Sequence, residues 1–339
     1  MMKRTYLVTG AAGFLGINVC EQLLERGDHV RAFVLKGDPA ARFLSKEIEI
    51  FEGDLCNSDD CLRFFTVPAD TETICIHCAS MVTINPDYNE KLIAVNVGGT
   101  ENMLAAAKVH PECRKFVYVS STGAIPELPK GESIREVDQF VPYEDERVVG
   151  WYSRSKAMAT QKVLDAAKAG LNACVVHPSG IIGPNDPAMG TTTHTLTQIL
   201  NGEMPIGMQG TFNLVDVRDL AEGTIAAADK GRKGECYILS NDEVSLKEMC
   251  EMLKADTGCK GCYFYLPLPL AHFAARQMEK KAAKKGGKPV LTEFAVYNLE
   301  RNNHFDCTKA RNELGFSPRP YKDTLHDLAI WLQKEGKIA

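Results

Sequence analysis

Three glycines near the N-terminus constrain the fold of this chain more than any other feature of its sequence. Gly10, Gly13 and Gly16 follow an apolar stretch at 6–8, which predicts a short buried strand, and precede residues 17–26, which are apolar at helical spacing. The first glycine permits a tight turn, the second lets a ligand approach the backbone, and the third lets helix and strand pack closely. The sequence therefore predicts a strand, a glycine turn and a helix whose N-terminus can bind phosphate.

Strands and helices alternate along the first half of the chain. Apolar runs bounded by turn residues predict strands, and apolar positions three or four apart predict helices. The predicted strands cover residues 6–8, 29–35, 48–52, 73–77, 115–120 and 173–177, and the predicted helices cover 17–26, 96–108 and 152–169. This alternation is typical of a parallel sheet with helices on both faces. We therefore expect an α/β protein with a Rossmann-type, doubly wound parallel sheet.

The spacing of the glycines predicts a dinucleotide as the ligand. In a strand, turn and helix that open an alternating chain, a TGxxGxxG pattern is typical of pyrophosphate binding. NAD binders usually place an acidic residue at the end of the second strand, whereas this strand ends at Leu35-Lys36. Lys36 and Arg42 can contact a 2′-phosphate, which favours NADP. Asp38 can reach the ribose instead, which leaves NAD open.

The sequence changes in character after Pro178. Residues 180–210 are rich in Gly, Pro, Thr and Asn, which is typical of loops that line a substrate site. Residues 212–217 predict a strand that returns towards the first part of the chain. We expect a dinucleotide-binding domain over 1–179, which 211–238 rejoins. A smaller, interleaved C-terminal substrate-binding lobe then covers mainly 180–210 and 239–339.

Tyr152 and Lys156 begin a predicted helix and lie on one helical face, because residues four apart are separated by one turn. A free tyrosine titrates near pH ~10, and a nearby ammonium lowers that pKa. Ser120-Ser121-Thr122 follow the fifth strand, at the carboxyl end where open α/β sheets bind ligands. Together these side chains predict an acid/base site for a carbonyl or an alcohol. Helix packing for Tyr152 and turn chemistry for the hydroxyls are the alternatives.

Composition excludes several classes of partner. A formal net charge of −5 offers no basic face for nucleic acid. No apolar run approaches the ~20 residues that span a bilayer, and the first residues lack the pattern of a signal peptide. We therefore expect a cytoplasmic protein whose 12 cysteines are free thiols. The CxxC pair Cys75/Cys78 lies in an apolar strand whose alternation separates the two thiols, and the pair Cys259/Cys262 has no partner pair at zinc spacing, so no metal is expected.

A basic cluster occupies residues 280–288 on a predicted helix, and an apolar segment at 263–273 precedes it. We interpret the cluster as a solvated helix face. A role at a membrane surface is the alternative.

The chain resembles the extended short-chain dehydrogenase/reductase family, which is also called the NAD-dependent epimerase/dehydratase family. The resemblance covers most of the chain. The matching segments are Thr9 to Gly16, Gly53-Asp54-Leu55, His77-Cys78-Ala79-Ser80, Asn96-Val97-Gly98-Gly99-Thr100, Val117 to Ser121, Tyr152 with Lys156, His177 to Pro184, Val215 to Ala221 and Lys309 to Phe316. Within the family, Val30 to Val34 and His177-Pro178-Ser179-Gly180 are most similar to the dihydroflavonol-reductase-like branch.

The resemblance implies roles for individual residues. Ser121 would orient the substrate oxygen, with Thr122 assisting or replacing it. Tyr152 would be the acid/base, and Lys156 would lower the pKa of Tyr152 and bind the nicotinamide ribose. The predicted cofactor contacts are Gly10, Gly13, Phe14, Leu15, Gly16, Lys36, Arg42, Asp54, Leu55, Ala79, Ser80, Asn96, Tyr152, Lys156, His177, Pro178 and Gly180.

We therefore predict an NAD(P)-dependent oxidoreductase that moves a hydride between nicotinamide and a carbonyl or secondary alcohol of a small organic substrate. The alternatives are a nucleotide-sugar epimerase with tightly bound NAD and a non-catalytic dinucleotide sensor. Gly123-Ala124 stand where the family's dehydratases carry acidic residues, which disfavours dehydration. The resemblance also implies a possible homodimer through helices such as 96–108 and 152–169.

Overall fold

A seven-stranded parallel sheet organises the computed structural model, which describes residues 3–140, 146–285 and 291–338. The strands of the chain are β1 (Lys3–Thr9), β2 (His29–Val34), β3 (Glu49–Glu52), β4 (Thr71–His77), β5 (Cys113–Val119), β6 (Ala173–Pro178), β7 (Gly180–Ile182), β8 (Ile206–Met208), β9 (Thr211–Asp216), β10 (Cys236–Leu239), β11 (Glu243–Ser245) and β12 (Phe264–Leu266). The central sheet has the order β10-β6-β5-β4-β1-β2-β3. This confirms the predicted Rossmann-type fold.

Helices cover both faces of the central sheet and build most of the second lobe. They are α1 (Phe14–Glu25), α2 (Ser58–Phe65), α3 (Glu90–Ile93), α4 (Gly99–Val109), α5 (Trp151–Lys168), α6 (Thr191–Leu200), α7 (Val217–Lys230), α8 (Leu246–Thr257), α9 (Leu268–Lys285), α10 (Glu293–Glu300), α11 (Thr308–Leu314) and α12 (Tyr321–Lys334). A π-helical turn at Ala94–Gly98 joins α3 to α4, so the predicted helix at 96–108 begins several residues earlier.

The inner strands of the central sheet are apolar on both faces because helices cover both sides, whereas the edge strand β3 is largely exposed. In β1 the residues from Tyr6 to Thr9 are buried, and β6 is buried along its whole length. The resulting core includes the facing side chains of α1, α5 and α7. Such unbroken apolar runs are what made these strands recognisable in the sequence.

The chain leaves the central sheet after β6 and rejoins it at β10. β9 pairs with β7 and antiparallel with β11 in a separate three-stranded sheet. Along β9 the side chains alternate, so that Leu214 packs in the core of the second lobe and Val215 in the main core. α7 and β10 then return to the central sheet. The second lobe is therefore interleaved with the first.

The described part of the chain also bears on the expected partners. No helix in it is long and apolar enough to cross a bilayer. Its cysteines form no disulfide bonds. Cys250 Sγ and Cys262 Sγ lie 3.8 Å apart, too far for a covalent bond. Among the described residues, no group of three or more His, Cys, Asp or Glu side chains is arranged to hold a metal ion.

Candidate active site

A crevice at the carboxyl ends of β1 and β4 is the natural place for a ligand. The strand order reverses between these two strands, so the following loops diverge to opposite faces of the sheet. The glycine turn follows β1, and residues 78–81 follow β4 on the neighbouring side. Ser120 and Ser121 follow β5, the next strand in the sheet. Most of the residues predicted for the site therefore lie along one edge.

The glycine turn is shaped by close backbone contacts. Gly10 has φ +62°, and a Cβ there would lie 2.7 Å from the Cα of Ala79. A Cβ on Gly16 would lie 2.1 Å from the carbonyl oxygen of Gly10, so helix and turn touch there. A Cβ on Gly13 would meet only that same oxygen, at 3.2 Å. Gly13 is thus the glycine whose outer side stays open, as a pyrophosphate-binding turn requires.

Gly13 is also the residue that precedes α1, and no described side chain caps this helix. The backbone N–H groups of Phe14, Leu15 and Gly16 belong to the first turn, where intrahelical acceptors are lacking. They are free for an anionic ligand and carry the positive end of the helix dipole. These residues fit the pyrophosphate of a dinucleotide.

A buried histidine ties the two loops of the crevice together. His77 Nδ1 lies 2.6 Å from Thr9 Oγ1 and His77 Nε2 lies 3.1 Å from Thr100 Oγ1. Thr9 Oγ1 also accepts a hydrogen bond from the backbone N–H of Ala79 at 3.2 Å. Burial lowers the pKa of His77 to about 3, so the ring is neutral and acts as a fixed bridge.

Asn96 was predicted as a cofactor contact, and its side chain binds protein groups in the structure. Its Oδ1 accepts from the backbone N–H of Met81 at 2.7 Å, and its Nδ2 donates to Ser155 Oγ at 2.9 Å. The hydroxyl of Ser80 also donates to Oδ1. Asn96 therefore holds the loop after β4 against α5. Its position in the π-helical turn, which the sequence did not reveal, directs it there.

Ser121, Tyr152 and Lys156 converge beside this loop. Ser121 lies close enough to Tyr152 to oppose the rise of the Tyr152 pKa, and Lys156 Nζ donates to the carbonyl oxygen of Val119 at 2.7 Å. Lys156 Nζ also lies 4.9 Å from the ring centre of Tyr118. The sequence did not predict this contact, because Tyr118 is one of several apolar residues in a buried strand. α5 brings both of its residues to the end of β5, one helical turn apart.

The electrostatics of this group differ from the expectation. Burial raises the pKa of Tyr152 to about 12, although the hydrogen bond from Ser121 opposes the shift. Burial also lowers the pKa of Lys156 to about 7, so its charge is only partly present at neutral pH. The sequence predicts that Lys156 lowers the pKa of Tyr152, but burial raises it. The ammonium of Lys156 is directed to the backbone carbonyl of Val119 and not to the phenol.

The residues predicted near the adenosine end lie after β2 and β3. Lys36 and Arg42 are exposed, and the Arg42 guanidinium carbon lies 4.8 Å from the ring centre of Phe43. Asp38 accepts from the backbone N–H of Ala40 at 2.9 Å and caps the short helical turn that follows. Asp54 is exposed, at the end of β3 nearest this turn. Leu55 is buried against Gly99, where a Cβ would lie 3.0 Å from Leu55 Cβ.

The three predicted contacts around β6 lie in different surroundings. The ring of His177 is fully buried, and its Nδ1 donates to the carbonyl oxygen of Ser121 at 3.0 Å. It stacks on Phe140 with ring centres 5.2 Å apart. Pro178 ends β6, and Gly180 makes room for Leu214, whose Cδ2 would lie 2.6 Å from a Cβ there. The His177 side chain therefore supports the backbone that carries Ser121.

Two features bear on the alternative reactions. A Cβ on Gly123 would lie 2.8 Å from Ser153 Oγ, so an acidic side chain at this position, as in a dehydratase, would have to displace that hydroxyl. Arg218 is bound to Asp216 and Asp327, each at 2.7 Å. The family resemblance implies that a sugar-nucleotide epimerase would hold the diphosphate with arginines of the second lobe, for which the sequence offers Arg218 and Arg301. Arg218 is paired as above, and Arg301 Nε lies 3.0 Å from Glu127 Oε1.

Comparison with known proteins identifies the family to which the chain belongs. The family model described as "NAD dependent epimerase/dehydratase family" matches residues 6–240. A protein of Synechocystis sp. described as a candidate dihydroflavonol 4-reductase is 31% identical, and the alignment covers 99% of this chain and 97% of the relative. The 3 beta-hydroxysteroid dehydrogenase/Delta 5-->4-isomerase of Mycobacterium tuberculosis is 29% identical, with 92% of this chain and 85% of the relative covered.

Solved structures share the fold over nearly the full length. The crystal structure of gox2253 is similar with a TM-score of 0.83 at 29% identity, covering 99% of both chains. The UDP-glucose 4-epimerase of Thermotoga maritima reaches a TM-score of 0.76 at 19% identity, covering 98% of this chain and 99% of that one, which shows the fold alone. The chain therefore belongs to the NAD dependent epimerase/dehydratase family, as an oxidoreductase of the extended short-chain dehydrogenase/reductase type.

Proposed function

We propose that this enzyme reduces a carbonyl group, or oxidises a secondary alcohol, of a small apolar substrate, with Tyr152 as the proton-transfer group. The observation that carries the proposal is the convergence of Ser121, Tyr152 and Lys156 at the end of β5, beside the open glycine turn. When bound, the nicotinamide dinucleotide would supply or accept the hydride at the substrate carbon.

Three side chains of the enzyme would carry out the transfer of the proton to the substrate oxygen. A phenol whose pKa is about 12 is protonated at neutral pH, so Tyr152 is ready to donate to a carbonyl oxygen. Ser121, which lies beside Tyr152, would donate a hydrogen bond to the same oxygen. Lys156 stands on the same helix face and would stabilise the phenolate that remains after the proton has left.

The surroundings of Tyr152 favour an apolar substrate. Tyr88 is exposed and packs edge-on against Trp151, the residue before Tyr152, with ring centres 4.8 Å apart. Val82 and Ile84 on the same loop are also exposed. Relatives named as a dihydroflavonol 4-reductase and a 3 beta-hydroxysteroid dehydrogenase/isomerase support chemistry on ring-bearing, weakly polar compounds.

Replacement of the phenol tests the mechanism. Tyr152→Phe should lower kcat by about 10²–10⁴-fold and leave cofactor affinity nearly unchanged, because only the proton donor is lost. Absorbance at 340 nm follows turnover, and quenching of tryptophan fluorescence follows cofactor binding. Tyr263→Phe, at an exposed tyrosine of the second lobe, is the matched control and should keep full turnover. Wild-type turnover in Tyr152→Phe would rule out the proposed role, and so would a parallel loss of cofactor binding.

We further propose that the enzyme prefers NADP, with Lys36 and Arg42 contacting the 2′-phosphate. Both side chains are exposed after β2, and Asp38, the acidic group nearest in sequence, caps a helical turn. The Lys36→Glu/Arg42→Glu variant should raise KM for NADPH about tenfold or more relative to KM for NADH. Lys233→Glu/Lys334→Glu has the same change in net charge and should leave the ratio unchanged. An equal shift for both cofactors would contradict the assignment.

The cytoplasmic location remains a prediction, as does a homodimer formed through α4 and α5. Sedimentation velocity of the purified enzyme tests the dimer.

A further inference from the structure

The outward face of α9 carries exposed apolar side chains near its N-terminus and lysines near its C-terminus. Leu270 and Phe273 are exposed at 54% and 65%, and Lys280, Lys281 and Lys284 follow on the same face, as the helical spacing of 100° per residue dictates. This set of five residues is called the α9 face below. The apolar residues occupy its N-terminal half and the lysines its C-terminal half.

The opposite side of α9 accounts for its packing and for its acidic partners. Ala271 and Ala275 are buried against the rest of the lobe. Glu279 accepts from the backbone N–H of Glu293 at 3.0 Å, and Arg276 Nε lies 2.6 Å from Glu293 Oε1. Among the described residues of α9, the one acidic side chain is therefore turned towards α10. The α9 face itself carries positive charge alone.

Further exposed apolar side chains lie next to the start of α9. Ile206 and Phe264 are paired across β8 and β12 and are exposed at 57% and 54%. Met208 and Leu266, two residues further along each strand, pack against the apolar cluster of α9 and α10 that contains Ala271 and Val296. Because side chains two residues apart share a face, Ile206 and Phe264 lie on the side of this ribbon that faces the cluster. Ile206, Phe264, Leu270 and Phe273 are thus four exposed large apolar side chains on β8, β12 and α9, elements that pack around one apolar cluster.

The α9 face is tied to the border of the candidate active site. Polar contacts fasten α9 to α10, including a hydrogen bond between His272 Nε2 and Glu300 Oε2 at 2.9 Å and the Arg276–Glu293 ion pair. α10 carries Phe294, whose ring would lie 3.0 Å from a Cβ on Gly150, the residue that precedes α5 and its Tyr152. The α9 face is therefore connected, through the contacts of α10, to the residue that precedes α5 and its Tyr152.

We propose that the α9 face docks the enzyme onto the surface of an anionic lipid bilayer. Leu270 and Phe273 would insert at the level of the headgroups, and the three lysines would lie over the lipid phosphates. Charge complementarity decides the occupant, since this basic face stands out on a chain with a formal net charge of −5. A second copy of the α9 face would offer no acidic partner to the lysines. The docking does not depend on which substrate the enzyme uses.

Sedimentation with vesicles tests the proposal directly. The full-length enzyme should pellet with phosphatidylcholine vesicles that contain phosphatidylglycerol, and much less with phosphatidylcholine alone or at high salt. The apolar variant Leu270→Ser/Phe273→Ser and the basic variant Lys280→Glu/Lys281→Glu/Lys284→Glu should each reduce the bound fraction at least about tenfold. All of these substitutions are at exposed positions, and circular dichroism checks that the variants are folded.

Matched controls separate a specific surface from general stickiness. Val109→Ser/Ile330→Ser removes two exposed apolar side chains elsewhere, and Lys322→Glu/Lys334→Glu/Lys337→Glu makes the same change in net charge on the C-terminal segment. Both controls should bind like the wild type. Absence of binding to anionic vesicles would overturn the proposal, as would equal loss in variants and controls. A wild-type dimer that Leu270→Ser/Phe273→Ser converts to a monomer would assign the face to a second copy instead.

Discussion

Residue type identified the chemistry of the site, whereas burial determined the charge states. Glycine is required where Gly10 adopts φ +62° and where a Cβ on Gly16 would strike the turn, and these demands are visible in the sequence. The spacing of Tyr152 and Lys156 is visible as well. Their pKa values were not, because burial is a property of the assembled structure.

His177 gives a prediction at this scale for stability against pH. Burial lowers its pKa from 6.5 to about 4, so the unfolded chain takes up the proton at a higher pH than the folded protein does. The stability from the neutral ring is complete above pH 6.5 and is lost as the pH falls towards 4, by on the order of 2–3 kcal/mol.

Urea unfolding at several pH values measures this effect. In His177→Asn the difference in unfolding free energy between pH 7 and pH 5 should be smaller than in the wild type. His29→Asn, at an exposed histidine, should follow the wild type. The same pH dependence in all three proteins would show that His177 is not responsible.

At the scale of elements, the long periodic segments were predictable and the short ones were not. Six strands of the central sheet and the helices α1 and α5 agree with the sequence within a few residues, whereas β10, the seventh strand, was not predicted. The sequence did not reveal α2, α10 or the π-helical turn before α4, because each depends on caps or packing. Asn57 caps α2 and Thr292 caps α10, which are signals that a closer search for N-caps would have found.

The packing of α1 on the glycine turn gives a prediction at the scale of elements. In Gly16→Ala the new Cβ would meet the Gly10 carbonyl oxygen, and we expect a loss of about 2 kcal/mol of unfolding free energy despite the better helix propensity of alanine. Gly98→Ala is the matched control, since nothing lies within 4 Å of a Cβ there. It should be neutral or stabilising by up to about 1 kcal/mol. Equal urea midpoints for the two variants would contradict the close contact.

At the scale of the whole molecule, a buried charge network joins the returning helix α7 to the C-terminal segment. Asp219 accepts from Arg319 at 2.6 Å, and Arg319 lies 3.6 Å from Asp216. The two carboxylates are almost fully buried. Arg218 extends the network to Asp327 on α12. These contacts join residues about one hundred positions apart, so no local sequence pattern predicts them.

Removal of Arg319 tests the strength of this junction. Arg319→Met leaves a buried carboxylate short of its partner and should lower the unfolding free energy by about 2 kcal/mol, a value reduced for the partial exposure of the guanidinium. Lys162→Met removes the exposed pair with Glu101 and should cost less than about 0.5 kcal/mol. Urea unfolding of both variants measures the difference. Equal losses would show that the network adds nothing beyond a surface ion pair.

The sequence by itself determined the strand–turn–helix opening, the alternation that gives a parallel sheet, and the acid/base pair one helical turn apart. These features are local, since strand and helix periods, glycine conformations and i, i+4 neighbours are set by residues close in the chain. The tertiary structure decided what those residues experience. It directs Asn96 to the loop after β4, brings β9 to a second sheet, and buries Tyr152 and Lys156 enough to reverse the expected pKa shift of the tyrosine. Burial and long-range pairing arise when distant segments come together, so they are absent from any short stretch of sequence.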